Sequence, residues 1–187
     1  WVAKLGSNAV ATVGFTESQA FTTQVINDSV SVAACLIAIM LIDKVGRKPL
    51  LLFGSIGMAL TLSTIAWCFM QGNLIEGKLV LPPGLGTIAF YAAISYAAIF
   101  NISWGPVMWV MLGEMFPNQM RGSALAVAGF AQWTSNFVIS SSFPWALKTL
   151  GLPMSYGFFA ICSFISIAFV WYFIKETKGI ELENMEG

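Results

Sequence analysis

Five apolar runs, residues 20–42, 49–70, 86–112, 122–147 and 154–174, fill most of this 187-residue chain. Each is long enough to cross a hydrocarbon core, which takes about 20 helical residues. Lipid offers no partners to backbone N–H and C=O groups, so such segments must satisfy themselves internally, and helices are the default. Composition agrees. The chain is 57% hydrophobic and 10% charged, whereas a soluble domain carries about 25% charged residues. The expectation is an all-α, polytopic membrane helix bundle of about five complete spans, occupying 19–174 between an N-terminal segment, 1–18, and a polar tail, 175–187.

The cations orient the bundle. Lys44, Arg47, Lys48, Arg121, Lys175 and Lys178 gather on one side of the expected topology, and Lys4, Lys78 and Lys148 on the other. The positive-inside rule puts the richer side, and with it the C-terminus, in the cytoplasm of a multi-pass cell-membrane protein. Nine cations balance nine anions, a composition with no pull towards nucleic acid. There is no histidine and no paired catalytic constellation, so neither an enzyme nor a metal or cofactor site is expected. Cys35, Cys68 and Cys162 all lie in apolar runs and read as small hydrophobes.

Within the third run, "WGPVMWVMLGEMFPNQMRG" (104–122) breaks its own pattern. Pro106 has no amide hydrogen, so the carbonyl of Ile102 loses its helical partner, and Gly105 beside it adds freedom. A break of this kind is tolerated where protein or water re-satisfies the backbone. Gly105 and Pro106 are therefore read as a hinge, with a plain packing kink as the alternative. Trp109 lies about 7–8 Å inside the nearer boundary, deeper than an interface tryptophan needs to be. It can stack on a sugar ring and offer its indole N–H, or simply pack.

Polar groups also sit where lipid would punish them. Gln132, 11 residues beyond Arg121, is about 16 Å into a core about 30 Å thick. Asn136 follows one turn later on the same face. Amides at the midplane normally face the bundle interior, and they donate and accept at once, as a polyhydroxylated ligand requires. Interhelical hydrogen bonding is the alternative. At the edges, Asp43 and Glu114 end helices, and Arg47 and Arg121 begin them, all against the macrodipole. That pattern points to cross-pairing into a latch of weak ion pairs, about 0–1 kcal/mol each when exposed. Asp28 is the one carboxylate inside a span, about 22 Å from the cytoplasmic face. Ser55, Ala59 and Ser63 form a small-residue stripe for close helix packing.

These residues together resemble the sugar porter branch of the major facilitator superfamily. "DKVGRK" is similar to its loop between the eighth and ninth helices, and the segment 104–122 to its tenth-helix signature. "AGFAQWTSNF" is similar to its eleventh-helix sugar segment, and "KETKGIELENME" to its C-terminal tail. The resemblance covers 15–187. It implies the C-terminal half of a major facilitator fold, with 1–18 a remnant of the seventh helix and its loop. It implies sugar contact by Trp109 and Gln132, with Trp133 and Asn136 close by. It also implies a cytoplasmic gate of Asp43, Arg47, Glu114, Arg121 and Glu176. The family's eighth-helix asparagine falls at Ser31, and the seventh-helix glutamine motif is absent.

The expected function is transport of a monosaccharide or related polyol by alternating access, as proton-coupled symport in a full-length protein. Five spans is an odd number for a self-contained carrier, so a six-helix N-terminal bundle is expected upstream to form the other wall. Facilitated diffusion stays open, as does a different class altogether: a non-transporting sensor, assembly subunit or inactive truncated product. The expected partners are the sugar, a proton and the lipid bilayer.

Overall fold

A computed structural model of the chain describes residues 17–75, 78–82, 84–174 and 176. Residues 1–16 and the tail beyond Glu176 lie outside the described residues, and with them most of the expected seventh-helix remnant. Among the described residues there are six helices: α1 (Glu17–Val45), α2 (Arg47–Met70), α3 (Leu85–Ile102), α4 (Trp104–Met115), α5 (Asn118–Thr149) and α6 (Gly151–Phe173). A small antiparallel ribbon, β1 (Asn73–Ile75) with β2 (Lys78–Val80), joins α2 to α3. The result is the expected polytopic bundle of α-helices. The helices outrun the expected spans, leaving only Gly46 between α1 and α2 and Phe116–Pro117 between α4 and α5. Helices longer than the hydrocarbon core carry their caps into the headgroup region, which shortens the loops.

Phe21–Val45, Arg47–Met70, Leu85–Met115 and Gly151–Phe173 are long and apolar enough to cross a membrane. The remaining expected span, α5, has 32 residues, about 48 Å of helix. It is long enough but too polar to join the other four, because Gln132, Asn136 and the serines at 140–142 interrupt its apolar pattern.

The centre of the bundle is α2, which packs chiefly on α6 and α3, while α1 packs on α3. Two buried clusters hold it. One, at the end bearing Arg47 and Glu114 (the charged end), joins Ile42, Leu50, Leu51, Val107, Met111, Val170 and Ile174. The other, at the ribbon end, joins Ile65, Cys68, Phe69, Ala89, Ala92 and Leu152. None of α5's residues is buried.

The break in the third run lies at Ser103, three residues before Pro106. Ser103 has φ −115° and ψ −87°, and its N–H is shared between the carbonyls of Ile99 and Phe100 (3.1 and 3.3 Å). Gly105 and Pro106 fall instead in the first turn of α4. An N–H there would have no intrahelical partner anyway, and the proline ring presses on the preceding turn, so the irregularity moves upstream.

Packing against lipid differs from packing in water, because lipid leaves no water-transfer term to lose. Leu51→Ala, at a side chain 1% exposed, should therefore lower stability by about 2 kcal/mol, the low end of the large-to-small range. Phe173→Ala, at a side chain 72% exposed, should leave it unchanged. Thermal unfolding in nanodiscs compares the two.

Candidate substrate and gate site

The short helix α4 has two working faces. Val107 and Met111 are buried and fix its inner side. Glu114 is seven residues from Val107, within about 20° of the same face, whereas Trp109 is turned about 160° away from it. One helix thus carries the Glu114 carboxylate towards α2 and Trp109 towards α5.

On the inner side, Arg47 opens α2 and is buried, with 9% exposure. Its Nε donates to Glu114 Oε2 at 3.0 Å and its Nη2 to Glu114 Oε1 at 2.6 Å. Nη2 also donates to Asp43 Oδ1 and Nη1 to the Ile42 carbonyl, each at 3.2 Å. A planar guanidinium suits this fork, which a lysine could not reproduce. Asp43, Arg47 and Glu114 are therefore brought together. The cross-bundle pair is partly buried, with side chains 11% and 27% exposed, while the Asp43 side chain is 79% exposed and adds little.

Glu176 joins the same end through the backbone. Its carboxylate accepts the N–H groups of Arg47 and Lys48, at 2.9 and 3.1 Å. These are orphan donors of α2's first turn, where an anion is favoured. Gly46 makes room for it. With φ 100° and ψ 165°, Gly46 occupies a region open essentially to glycine alone, and a Cβ there would lie 2.8 Å from Glu176 Oε2. Lys48 ties the same corner to α6 by donating to the Trp171 carbonyl at 3.0 Å. Arg121 is a different case: its Nε is enclosed and has no hydrogen-bond partner among the described residues.

On the other side of α4, a Cβ added to Gly129 of α5 would lie 3.8 Å from Trp109 Cη2. Asn136, seven residues on, shares Gly129's face, and Gln132 and Trp133 flank it at about 60° and 40°. Trp109 therefore approaches the face of α5 that carries the polar amides. Asn136 also lines a cavity of about 660 Å³ between α1, α2, α3, α5 and α6. That cavity is largely aromatic, with Phe69, Tyr96, Phe143, Tyr156 and Phe159 in its wall, and neither Gln132 nor Trp109 lines it. Ser31 is separate again. Its hydroxyl donates to the Asn27 carbonyl at 2.8 Å, so it keeps only acceptor capacity for another group. Asp28 accepts from Gln24 Nε2 at 2.9 Å on an exposed face of α1.

The model of the family described as "Sugar (and other) transporter" matches residues 2–187. The chain belongs to this sugar transporter family. It is 47% identical to the glucose transport protein of Synechocystis sp. (strain ATCC 27184 / PCC 6803 / Kazusa) over 92% of this chain and 37% of that protein. It is 35% identical to the D-xylose-proton symporter of Escherichia coli (strain K12) over 94% of this chain and 35% of that one. A crystal structure of a double-tryptophan mutant of XylE superposes with a TM-score of 0.85 at 34% identity, covering 97% of this chain and 37% of XylE. The chain thus spans a little over a third of the length of these relatives, and it is a multi-pass membrane protein of a transporter family.

Sequence reasoning missed the seat that Gly46 gives Glu176, the role of Gly129 as Trp109's neighbour, and the displacement of the break to Ser103. For Gly46 a signal was present, a glycine squeezed between two helices; Gly129 carried none that distinguishes it from other small residues. Gly46→Ala should destabilise the charged end by about 1–3 kcal/mol. Hydrogen exchange at the Arg47 and Lys48 amides should speed up with it, and unchanged protection would dissociate Gly46 from Glu176.

Proposed function

We propose that this chain forms the C-terminal half of an alternating-access carrier for a monosaccharide or related polyol. In a full-length protein, an N-terminal bundle supplies the opposing wall. The observation that carries this reading is α4 itself, with Trp109 turned to the amide face of α5 and Glu114 turned to Arg47. Ligand contact and latch then share one short rigid element, so filling the site biases the latch, and the reverse. Trp109 stacks on the sugar ring, Gln132 and Asn136 exchange hydrogen bonds with its hydroxyls, Trp133 closes the side, and Ser31 offers an acceptor. Asp43, Arg47, Glu114, Arg121 and Glu176 form the gate, with Gly105 and Pro106 in the turn that follows the joint.

The richer cationic end, with the C-terminus, faces the cytoplasm of the cell membrane. Proton symport is the mode proposed, supported by the xylose-proton relative. The decisive experiment is reconstituted uptake and equilibrium binding by a full-length carrier containing this chain, across a panel of pentoses, hexoses and inositols.

In that carrier Gln132→Ala should weaken binding of the transported sugar by about 1 kcal/mol or more, the value of a lost hydrogen bond. Titration calorimetry reads it, and unchanged affinity for every bound sugar removes Gln132 from the site. Glu114→Gln should favour the inward-open state, where a change of about 1.4 kcal/mol alters the state ratio tenfold. Pulsed electron-resonance distances across the cytoplasmic ends report the shift. Slower transport with an unchanged distance distribution would mean that Glu114 serves folding or insertion, not a latch.

A further inference from the structure

The joint between α3 and α4 is gripped by α2, the central helix of the bundle. Ser103 and Ser55 are both fully buried. A Cβ placed on Gly54 would overlap the Cβ and Oγ of Ser103 and lie 3.1 Å from Trp104 Cδ1. Beside this notch, Trp104 Nε1 donates to Ser55 Oγ at 3.0 Å. One turn along α2, a Cβ on Gly57 would lie 2.9 Å from the Cδ1 and Cγ2 atoms of Ile99, so the last turn of α3 is seated on the same strip. Ser103 cannot lean on helical geometry to hold its place. It is off the helical region, and its hydroxyl is turned back to the Ile99 carbonyl at 2.7 Å. Its own carbonyl accepts the Val107 N–H at 3.1 Å, the bond that carries the ladder into α4.

We propose that Gly54 and Ser55 are positioning residues. They form a notch and a hydrogen-bond stop that set the angle of α4 at Ser103, and through it the placement of Trp109 against α5 and of Glu114 against Arg47. The lever is long enough for this to matter. Glu114 is 11 residues beyond Ser103, about 16 Å along the helix, so a tilt of about 5° moves its carboxylate by roughly 1.4 Å. That displacement is enough to break a fork built on 2.6 and 3.0 Å contacts. Steric fit fixes the pivot, and the indole N–H to hydroxyl bond fixes the rotation about it. Neither Gly54 nor Ser55 touches substrate in this scheme.

The inference rests on the carrier reading for its consequence at the sugar site, but the joint can be tested without any sugar. Spin labels at Ile88 on α3 and Met115 on α4, both exposed, report the angle in a full-length carrier in nanodiscs. Gly54→Ala should shift or broaden that distance by about 1–3 Å, as a lever of this length requires. Ser103→Gly removes the side-chain atoms that the added methyl group would strike, so the pair Gly54→Ala/Ser103→Gly should restore the distance. Sugar affinity should fall about tenfold in the single variant and recover in the pair. Should Gly54→Ala fail to fold, Ser55→Ala and Trp104→Phe carry the test, each broadening the distance distribution, and non-additively when combined. Unchanged distances in Gly54→Ala, or in both fallback variants, overturn the proposal. So does a pair that folds without restoring the distance, or a shifted joint with unaltered sugar affinity. A carrier that binds no sugar at all sinks the proposed function, and the distances alone then decide the joint.

Discussion

The charged end of the bundle is organised around a single buried cation. Taking a guanidinium out of water is expensive, and Arg47 is tolerated at the base of α2 only because its donors are met. Glu114 takes two, the Ile42 carbonyl one, and Asp43 shares another. These partners come from α1 and α4, so satisfying one side chain fixes three helices relative to one another. Glu176 then closes the amides of the same turn, bringing in the segment after α6. The buried apolar cluster that includes Ile42, Leu51, Val107 and Val170 belongs to the same end of the bundle. A partly buried pair of this kind is weak evidence for net stability but can fix register. Removing either partner strands a charge, which gives the two ends of the arrangement reason to move together.

At the opposite end the bundle is less closed. Aromatic side chains of α2, α3, α5 and α6 surround a cavity, and α5 lies against its neighbours without burying a residue. The same helix holds Gln132 and Asn136, and carries exposed aromatics, among them Phe130 and Trp133. Its polar face and its lack of buried residues set α5 apart from the other helices of the bundle. Between the two ends runs α4, tied to α2 by Arg47 and by Ser55, with its tryptophan directed at α5. Mechanical continuity from the amide-bearing face of α5 to the ion pair therefore passes through one three-turn helix and the joint before it.

Much of this was legible in the chain. Run lengths and the near-absence of charge dictated a helical membrane bundle, because lipid leaves the backbone no other solution. The family followed from ordered motifs. The convergence of Asp43, Arg47 and Glu114 could be anticipated from four charges set against their helix dipoles, an unfavourable placement unless each finds a partner elsewhere. Trp109 and Gln132 could be singled out from depth alone, since rise per residue converts sequence distance directly into position across the bilayer.

What sequence could not decide was which partner each group takes and where strain is released. Proline announced a break, but the break settled at Ser103, where Gly54 leaves a notch and the preceding turn can yield. Arg121 has the same charge as Arg47 and likewise lies in the first turn of its helix, yet its Nε is without a hydrogen-bond partner among the described residues, whereas the Nε of Arg47 reaches Glu114. Glu176 seats on backbone amides that no residue code reveals, at a glycine whose φ of 100° is a property of the assembled corner. Local pattern fixes what each residue can do, since helix geometry and solvent act on it alone. Which of those capacities is used depends on distances between helices, and these exist only once the helices have packed.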